Sequence, residues 1–362
     1  MSDLRFEIDE DIRRAWTLPG RFYTDPLVLE ACRERIFRSS WQFVGDMELV
    51  RVPGSVYPFT LLDGYLDEPL LLTRDIDDRL HCLSNVCTHR GNIVCEGAGV
   101  ERSLRCRYHG RRFRLDGTFE HMPEFAGVEG FPSEADNLPE VSLESIGKFL
   151  FVSLDPNEGF SLLSKELHDR LGWLPFDKLT YDESRSREYL VRANWALYCE
   201  NFLEGFHIPF VHGSLDKALN YQDYHVETFP QSVLQLGIAS SGTEMFTPPL
   251  GTPDHGRSIA AYYWWLFPNT LFNVYPWGIS VNVVRPLAVY RTKVSFLCYV
   301  WDSTKLDKGA GSDLDRVERE DEAIVETCQR GLGSRIYGRG RYSPTREQGV
   351  HHFHRMLAAA LA

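Results

Sequence analysis

Cys87-Thr88-His89-Arg90-Gly91 and Cys106-Arg107-Tyr108-His109-Gly110 decide how the rest of the chain is read. Each stretch offers one thiolate and one imidazole, and sixteen residues, Arg90 to Arg105, lie between His89 and Cys106. Two Cys for one iron and two His for the other is the ligand inventory of one kind of [2Fe–2S] cluster. Zinc also accepts two Cys and two His. Its usual spacing pairs Cys with Cys and His with His, whereas both of these short loops mix the types. Gly91 and Gly110 follow the histidines almost at once, as tight loops around a metal group require.

Around these loops, from residue 41 to about 155, short alternating runs are broken by Gly, Pro and Asp. Leu70-Leu71-Leu72-Thr73 and Leu80-His81-Cys82-Leu83-Ser84-Asn85-Val86 read as strands. Asp116-Gly117, between Phe113 and Phe119, reads as a hairpin turn. The expectation is a small β domain holding the cluster at two loop tips. His81 and His121 lack partners at ligand spacing and read as ordinary histidines.

The N-terminal 1–40 reads as a lead-in with one helix, started by Asp25-Pro26 and carrying Leu29, Cys32, Ile36 and Phe37 at helical spacing. Residues 156–362 form the other domain. A short helical stretch falls within 158–185, and Glu188-Tyr189-Leu190-Val191 reads as a strand. From Asn194 to His207 the periodicity is helical, with Leu197, Asn201, Glu204 and His207 on one stripe. Burying Asn, Glu and His costs several kcal/mol, to order of magnitude, unless they are paired or bind metal. Pro209 interrupts the helix, and His212 follows His207 by five residues.

Two imidazoles need a carboxylate to complete the two-His-one-carboxylate face that holds Fe(II) with open positions. Leu314, Val317, Ile324, Val325, Cys328 and Leu332 trace the apolar face of a helix over about 313–330, and Asp321 interrupts that face. Asp321 is therefore the third ligand, while Glu318, Glu320 and Glu322 read as solvated neighbours. Glu204-x-x-His207 also suits a di-iron bundle, which requires a second copy of the motif. The sequence has none.

Residues 258–301 read as long antiparallel strands, the richest in aromatic rings. Most rings read as sheet packing, and some as a pocket that cages a quaternary ammonium by cation–π attraction. Residues 236–256 read as a loop able to gate that pocket. His351, His352 and His354 read as part of a terminal helix, without a metal role.

Together the two loops and the later motifs resemble the Rieske non-haem iron oxygenases, over nearly the whole chain. The carriers are Cys87-Thr88-His89-Arg90-Gly91, Cys106-Arg107-Tyr108-His109-Gly110, Glu204-Gly205-Phe206-His207-Ile208-Pro209-Phe210-Val211-His212, and Glu320-Asp321 before Gln329-Arg330-Gly331-Leu332. Asn92 and Tyr108 stand where respiratory Rieske proteins carry extra Cys, which points to the oxygenase branch. Arg111 stands where many relatives have Trp. The family motif is Asp/Glu-x-x-His-x4-His, and Glu rather than Asp at 204 is similar to the carnitine and glycine betaine monooxygenases.

The resemblance implies an α+β chain: a β-rich Rieske domain with Cys87, His89, Cys106 and His109 on the [2Fe–2S] cluster, then a helix-grip catalytic domain. It implies mononuclear Fe(II) on His207, His212 and Asp321. It also implies a bridge by Glu204 to His109 of a neighbouring subunit in a homotrimer. Electrons come from a separate NAD(P)H-dependent reductase, since the chain shows no nucleotide fingerprint. The implied reaction is O2-dependent monooxygenation, as hydroxylation or demethylation, of a small organic substrate, with a quaternary ammonium compound as the leading candidate. The alternatives are an aromatic-ring dioxygenase or demethylase and, in another class, a cluster-only electron carrier or redox sensor.

Bulk properties agree with a soluble globular protein: 362 residues, 43% hydrophobic, 25% charged. A net charge of −12 argues against nucleic acid or anionic membrane as partner. The start Met1-Ser2-Asp3-Leu4-Arg5-Phe6-Glu7 reads as no signal peptide, and no apolar run is long enough to span a bilayer. Eight Cys in a chain of this size make no disulfide scaffold: two are on the cluster, and Cys32, Cys82, Cys95, Cys199, Cys298 and Cys328 read as reduced, mostly buried thiols, which places the protein in the cytoplasm.

Overall fold

The computed structural model describes residues 4–156 and 158–362, so the first three residues of the N-terminal reading and Asn157 at the domain boundary lie outside it. The chain divides into two compact units, Arg38–Glu158, and Met1–Phe37 with Gly159–Ala362.

The first unit is built of strands. A seven-stranded antiparallel sheet runs in the spatial order Gln42–Asp46, Phe149–Ser153, Glu140–Ile146, Leu80–Ser84, Glu68–Arg74, Ser55–Leu61, Gly99–Val100. A three-stranded sheet joins Leu104–Arg105, Arg112–Phe113 and Phe119–His121. Leu71 pairs in register with Leu83, and both enter a core with Val56, Phe113, Cys87 and Cys106. The thiols are thus anchored in the same apolar cluster as the strands. The Asp116-Gly117 turn closes as read: the Arg114 amide donates to the Thr118 carbonyl at 2.8 Å, and Gly117 has φ +85°.

The second unit wraps helices on a larger antiparallel sheet. Its order is Thr180–Tyr181, Arg291–Val300, Gly278–Ala288, Thr270–Tyr275, Ile259–Leu266, Ser232–Ile238, His225–Phe229, and Arg187–Val191 also pairs with Arg291–Val300. Every residue of Ile259–Leu266 is buried, because helices or loops cover both of its faces. Trp265 packs edge-on against Phe353 of the terminal helix Gln348–Leu361 at 5.0 Å, and Trp195 does so at 5.8 Å. The N-terminal helix Pro26–Cys32 is capped by Asp25. It continues into the turn Arg33–Phe37, whose Phe37 ring meets Trp195 at 4.8 Å.

The terminal histidines are structural. His354, fully buried, lies 2.6 Å from the Tyr342 hydroxyl and 3.0 Å from Glu200. His351 and His352 bond to the carbonyls of Asp9 and Phe229. Six of the eight thiols are buried, but Cys95 is half-buried and Cys328 exposed. Among the described residues no helix is long and apolar enough to cross a membrane.

Candidate metal centres

The two cysteine loops are built alike. The Cys87 amide donates to the Asn92 carbonyl at 2.8 Å and the Gly91 amide to the Cys87 carbonyl at 2.9 Å. Correspondingly, the Cys106 amide donates to Arg111 at 2.9 Å and the Gly110 amide to Cys106 at 3.0 Å. Each loop closes on a left-handed glycine, φ +71° at Gly91 and +76° at Gly110, where a side chain would strain the backbone. The rings of His89 and His109 meet edge-on, with centroids 4.7 Å apart. Burial raises the Cys87 thiol above its ordinary range, and the Cys106 thiol beside it adds to this. Nδ1 of His109 is buried without a hydrogen-bond partner among the described residues. Native structures rarely leave such an atom unsatisfied. Two adjacent thiols, two neighbouring imidazoles and that orphaned nitrogen fit a cluster with sulfur on one iron and nitrogen on the other.

Arg111 packs beside this site as a buried cation. Its guanidinium lies over Phe113, Phe119 and Phe131 at 5.5, 5.0 and 5.6 Å. It also bonds Asp136 at 2.7 Å. The flat ion thus fills the place of a flat ring.

In the second unit, Asn194 caps the helix Trp195–Phe202 by accepting from the Ala196 amide. That helix is shorter than its periodicity suggests. It stops at Leu203, and Glu204 to His207 form a turn. Gly205 is the reason in part: a Cβ there would lie 2.7 Å from the Tyr224 ring. Pro209 does not break a helix; it sits in the first turn of a new one, Ile208–Val211, where its missing N–H costs nothing. His207 and His212 therefore flank this short helix and point the same way.

Nε2 of His207 and Nε2 of His212 are 3.2 Å apart. Oδ1 of Asp321 lies 3.0 Å from His212 Nε2 and 3.5 Å from His207 Nε2. These three ligand atoms form a compact group able to hold a metal ion. Each imidazole is oriented from behind: Glu204 Oε1 is 2.7 Å from His207 Nδ1, and Glu320 Oε2 is 2.9 Å from His212 Nδ1. Glu204 also accepts from the amides of Phe206 and His207. Carboxylates behind ligating histidines are the usual support of a metal site. Burial disfavours the His207 imidazolium, yet the Asp321 and Glu204 carboxylates outweigh it and push the pKa up to about 10. The site attracts positive charge.

The helix Leu314–Leu332 supplies Asp321, but its buried face differs from the sequence reading. Glu318, Val325 and Gln329 are buried, while Ile324 and Cys328 are exposed. Glu318 and Glu320 are not solvated neighbours: one is 4% exposed and the other orients His212. The signal for Glu318 was present, since it lies four residues after Leu314 and three before Asp321. Asn201, read on the ligand stripe, donates from Nδ2 to Asp321 Oδ1 at 2.6 Å.

A cavity of about 740 Å³, including its open mouth, contains the triad. Tyr198, Phe202, Tyr224, Tyr263, Tyr275 and Phe296 supply its rings. Trp264 and Trp265 instead belong to the core. Residues 236–256 contribute none of the described lining, so the gate expected there is not seen. That segment is pinned by Asp254 to Arg170 and by the ring of Phe246 against Tyr262.

Comparison with known proteins agrees with this geometry. Residues 176–362 match the ring hydroxylating alpha subunit (catalytic domain), and residues 40–132 match the Rieske [2Fe-2S] domain. The chain is 30% identical to the chloroplastic choline monooxygenase of Arabidopsis thaliana, over 99% of this chain and 86% of that protein. It is 29% identical to the carnitine monooxygenase oxygenase subunit of Escherichia coli (strain K12), over 96% and 94%. The crystal structure of the quaternary ammonium Rieske monooxygenase CntA with its substrate L-carnitine superposes with a TM-score of 0.75, at 25% identity over 97% of each chain. Naphthalene 1,2-dioxygenase from Rhodococcus shares the fold, with a TM-score of 0.67 at 19% identity over 95% and 93%.

Proposed function

Because the chain belongs to the ring-hydroxylating α-subunit family of Rieske oxygenases, an oxidoreductase with a [2Fe–2S] cluster and mononuclear iron as cofactors, we propose that it monooxygenates a quaternary ammonium compound. The family match over the catalytic domain sets aside a cluster-only carrier. Cys87, His89, Cys106 and His109 would hold the cluster, and His207, His212 and Asp321 the iron. When bound, the cluster supplies electrons singly and the iron supplies the place where O2 is activated.

The chain's own residues do the positioning. Glu204 and Glu320 fix the ring planes and leave both Nε2 atoms free to ligate. Asn201 holds the Asp321 carboxylate by one oxygen. The ring-lined cavity restricts water and presents substrate to the triad. The observation that carries the reading is the convergence of two Nε2 atoms and one carboxylate oxygen at the wall of an aromatic cavity.

Glu204 would also reach His109 of a neighbouring subunit in a ring-shaped homotrimer. Its hold on His207 supports half of that bridge, and inter-subunit electron transfer is described for a 26%-identical quaternary ammonium Rieske monooxygenase. A separate reductase would supply the electrons, in the cytoplasm, where thiols such as the six outside the cluster stay reduced.

Single-turnover product analysis tests this. The cluster is reduced chemically, excess reductant removed, and O2 added with a panel of quaternary amines or of aromatic compounds. An added oxygen or a released aldehyde from a quaternary amine, seen by mass spectrometry, is the expected result. Product from aromatics alone would overturn the substrate assignment and leave the enzyme class standing.

A further inference from the structure

One acid on the cavity wall has no role in holding metal. Glu318 is 4% exposed and stands one turn before Asp321 on the helix Leu314–Leu332. The Tyr198 hydroxyl donates to it, 2.6 and 2.7 Å from its two oxygens, and is its only hydrogen-bond partner among the described residues. Burial, and then the like charges of Asp321, Glu322 and Asp315, hold its carboxyl well above the usual range.

Charged side chains of the helix and its surroundings leave this acid unneutralised. Among the described residues, no lysine or arginine lines the cavity. Arg319 pairs with Asp315 at 3.1 Å and Arg316 with Glu320 at 3.1 Å. A second cavity borders Glu318 on its other side and does contain arginines, but both are engaged. Arg185 forks onto Asp307, and Arg187 donates to the carbonyls of Ser184 and Ser186. With no cation beside it the buried acid keeps its proton, and only an arriving positive charge would favour the carboxylate.

The surroundings suit one kind of missing cation. A quaternary ammonium group has no N–H, so it gains nothing from hydrogen-bond acceptors and is recognised by negative charge and ring faces. Tyr198, Tyr263, Tyr275 and Phe296 share the cavity with Glu318, and Phe296 also borders the second cavity beside it. We propose that Glu318 gives up its proton to solvent as the substrate's permanent cation arrives, and so becomes the anionic half of a subsite that holds that cation against these rings, beside the iron triad. The proposal rests on the quaternary ammonium reading above and adds the residue that reads the charge. A neutral aromatic substrate would leave Glu318 protonated.

The test is equilibrium binding by calorimetry to the full, metal-loaded chain. Choline and carnitine are each set against the uncharged isostere in which carbon replaces the nitrogen. The wild type should prefer the charged member by about tenfold or more. Glu318→Gln should lose that preference with iron content unchanged, and Glu318→Asp, which keeps the charge, should retain part of it. A Gln variant that still prefers the cation overturns the role of Glu318 and leaves the substrate reading intact. An Asp variant that loses the preference as fully as Gln would show that shape rather than charge is read, and likewise overturns it. No preference in the wild type removes the substrate reading and this inference together.

Discussion

His212 is buried between two acids with different tasks. Asp321 faces its Nε2 and Glu320 its Nδ1, at 3.0 and 2.9 Å. Removing the charge behind the ring should loosen the metal without touching a ligand. Glu320→Gln is expected to weaken iron binding about 10- to 100-fold, read by competition with a chelator while the cluster absorbance stays constant. Glu318 predicts the opposite kind of effect, on stability. Its pKa is raised on folding, so below the ordinary carboxylate pKa both states are protonated and nothing is lost. Above it the unfolded chain gives up its proton first, and the penalty on folding grows as pH rises towards the folded pKa. Glu318→Gln should therefore raise the melting temperature at neutral pH, and by progressively less on acidification towards pH 4.5, the ordinary value. A melting curve that gains equally at all pH values would refute this. Asp321 was legible because an acid broke an apolar stripe. Glu318 broke the same stripe, but helical periodicity could not separate it from Val317 next to it, which left the acid on the solvent side of the reading.

Helices and strands were legible where alternation or periodicity ran long, as in Arg291–Val300 and Leu314–Leu332. The stop after Phe202 was not, because part of its cause is the ring of Tyr224 packed on Gly205, a contact distant in sequence. The segment after Ile238 misled for a similar reason: its glycines and prolines suggest mobility, while a buried ion cluster fixes it. Arg170, on the helix Phe160–Leu171, bonds Asp254 in that segment and Glu227 in the strand His225–Phe229. Asp254 is 1% exposed. Arg170→Met would leave that buried carboxylate with only the more exposed Arg257, 3.6 Å away, as a cation, which should cost about 3 kcal/mol. Thermal unfolding should show the loss, and adding Asp254→Asn should recover part of it. If the single variant melts like the wild type, the cluster does not fasten these three elements.

At the scale of the molecule, the two-part architecture was legible because each part announces itself by ligands at short spacing. The assembly was not, since one chain lists the donors of both centres without saying which chain's cluster serves which iron. The proposed bridge answers that Glu204 serves a neighbour's His109, and a mixture of defective chains can decide it. Cys106→Ser should disable the cluster and leave the iron triad intact. Asp321→Ala should disable the iron and leave the cluster intact. Neither homo-oligomer should turn over. When the two chains are co-expressed and assort at random in a cyclic ring, each iron has one donor neighbour. About one quarter of these directed pairs then join an intact cluster to an intact iron, so mixed oligomers should recover about a quarter of wild-type turnover. Adding Glu204→Gln to the Cys106→Ser chain, which carries the working iron, should abolish most of that recovery. The same change in the Asp321→Ala chain should not. Electron transfer confined within one chain predicts no recovery in any mixture, because no single chain then holds both centres.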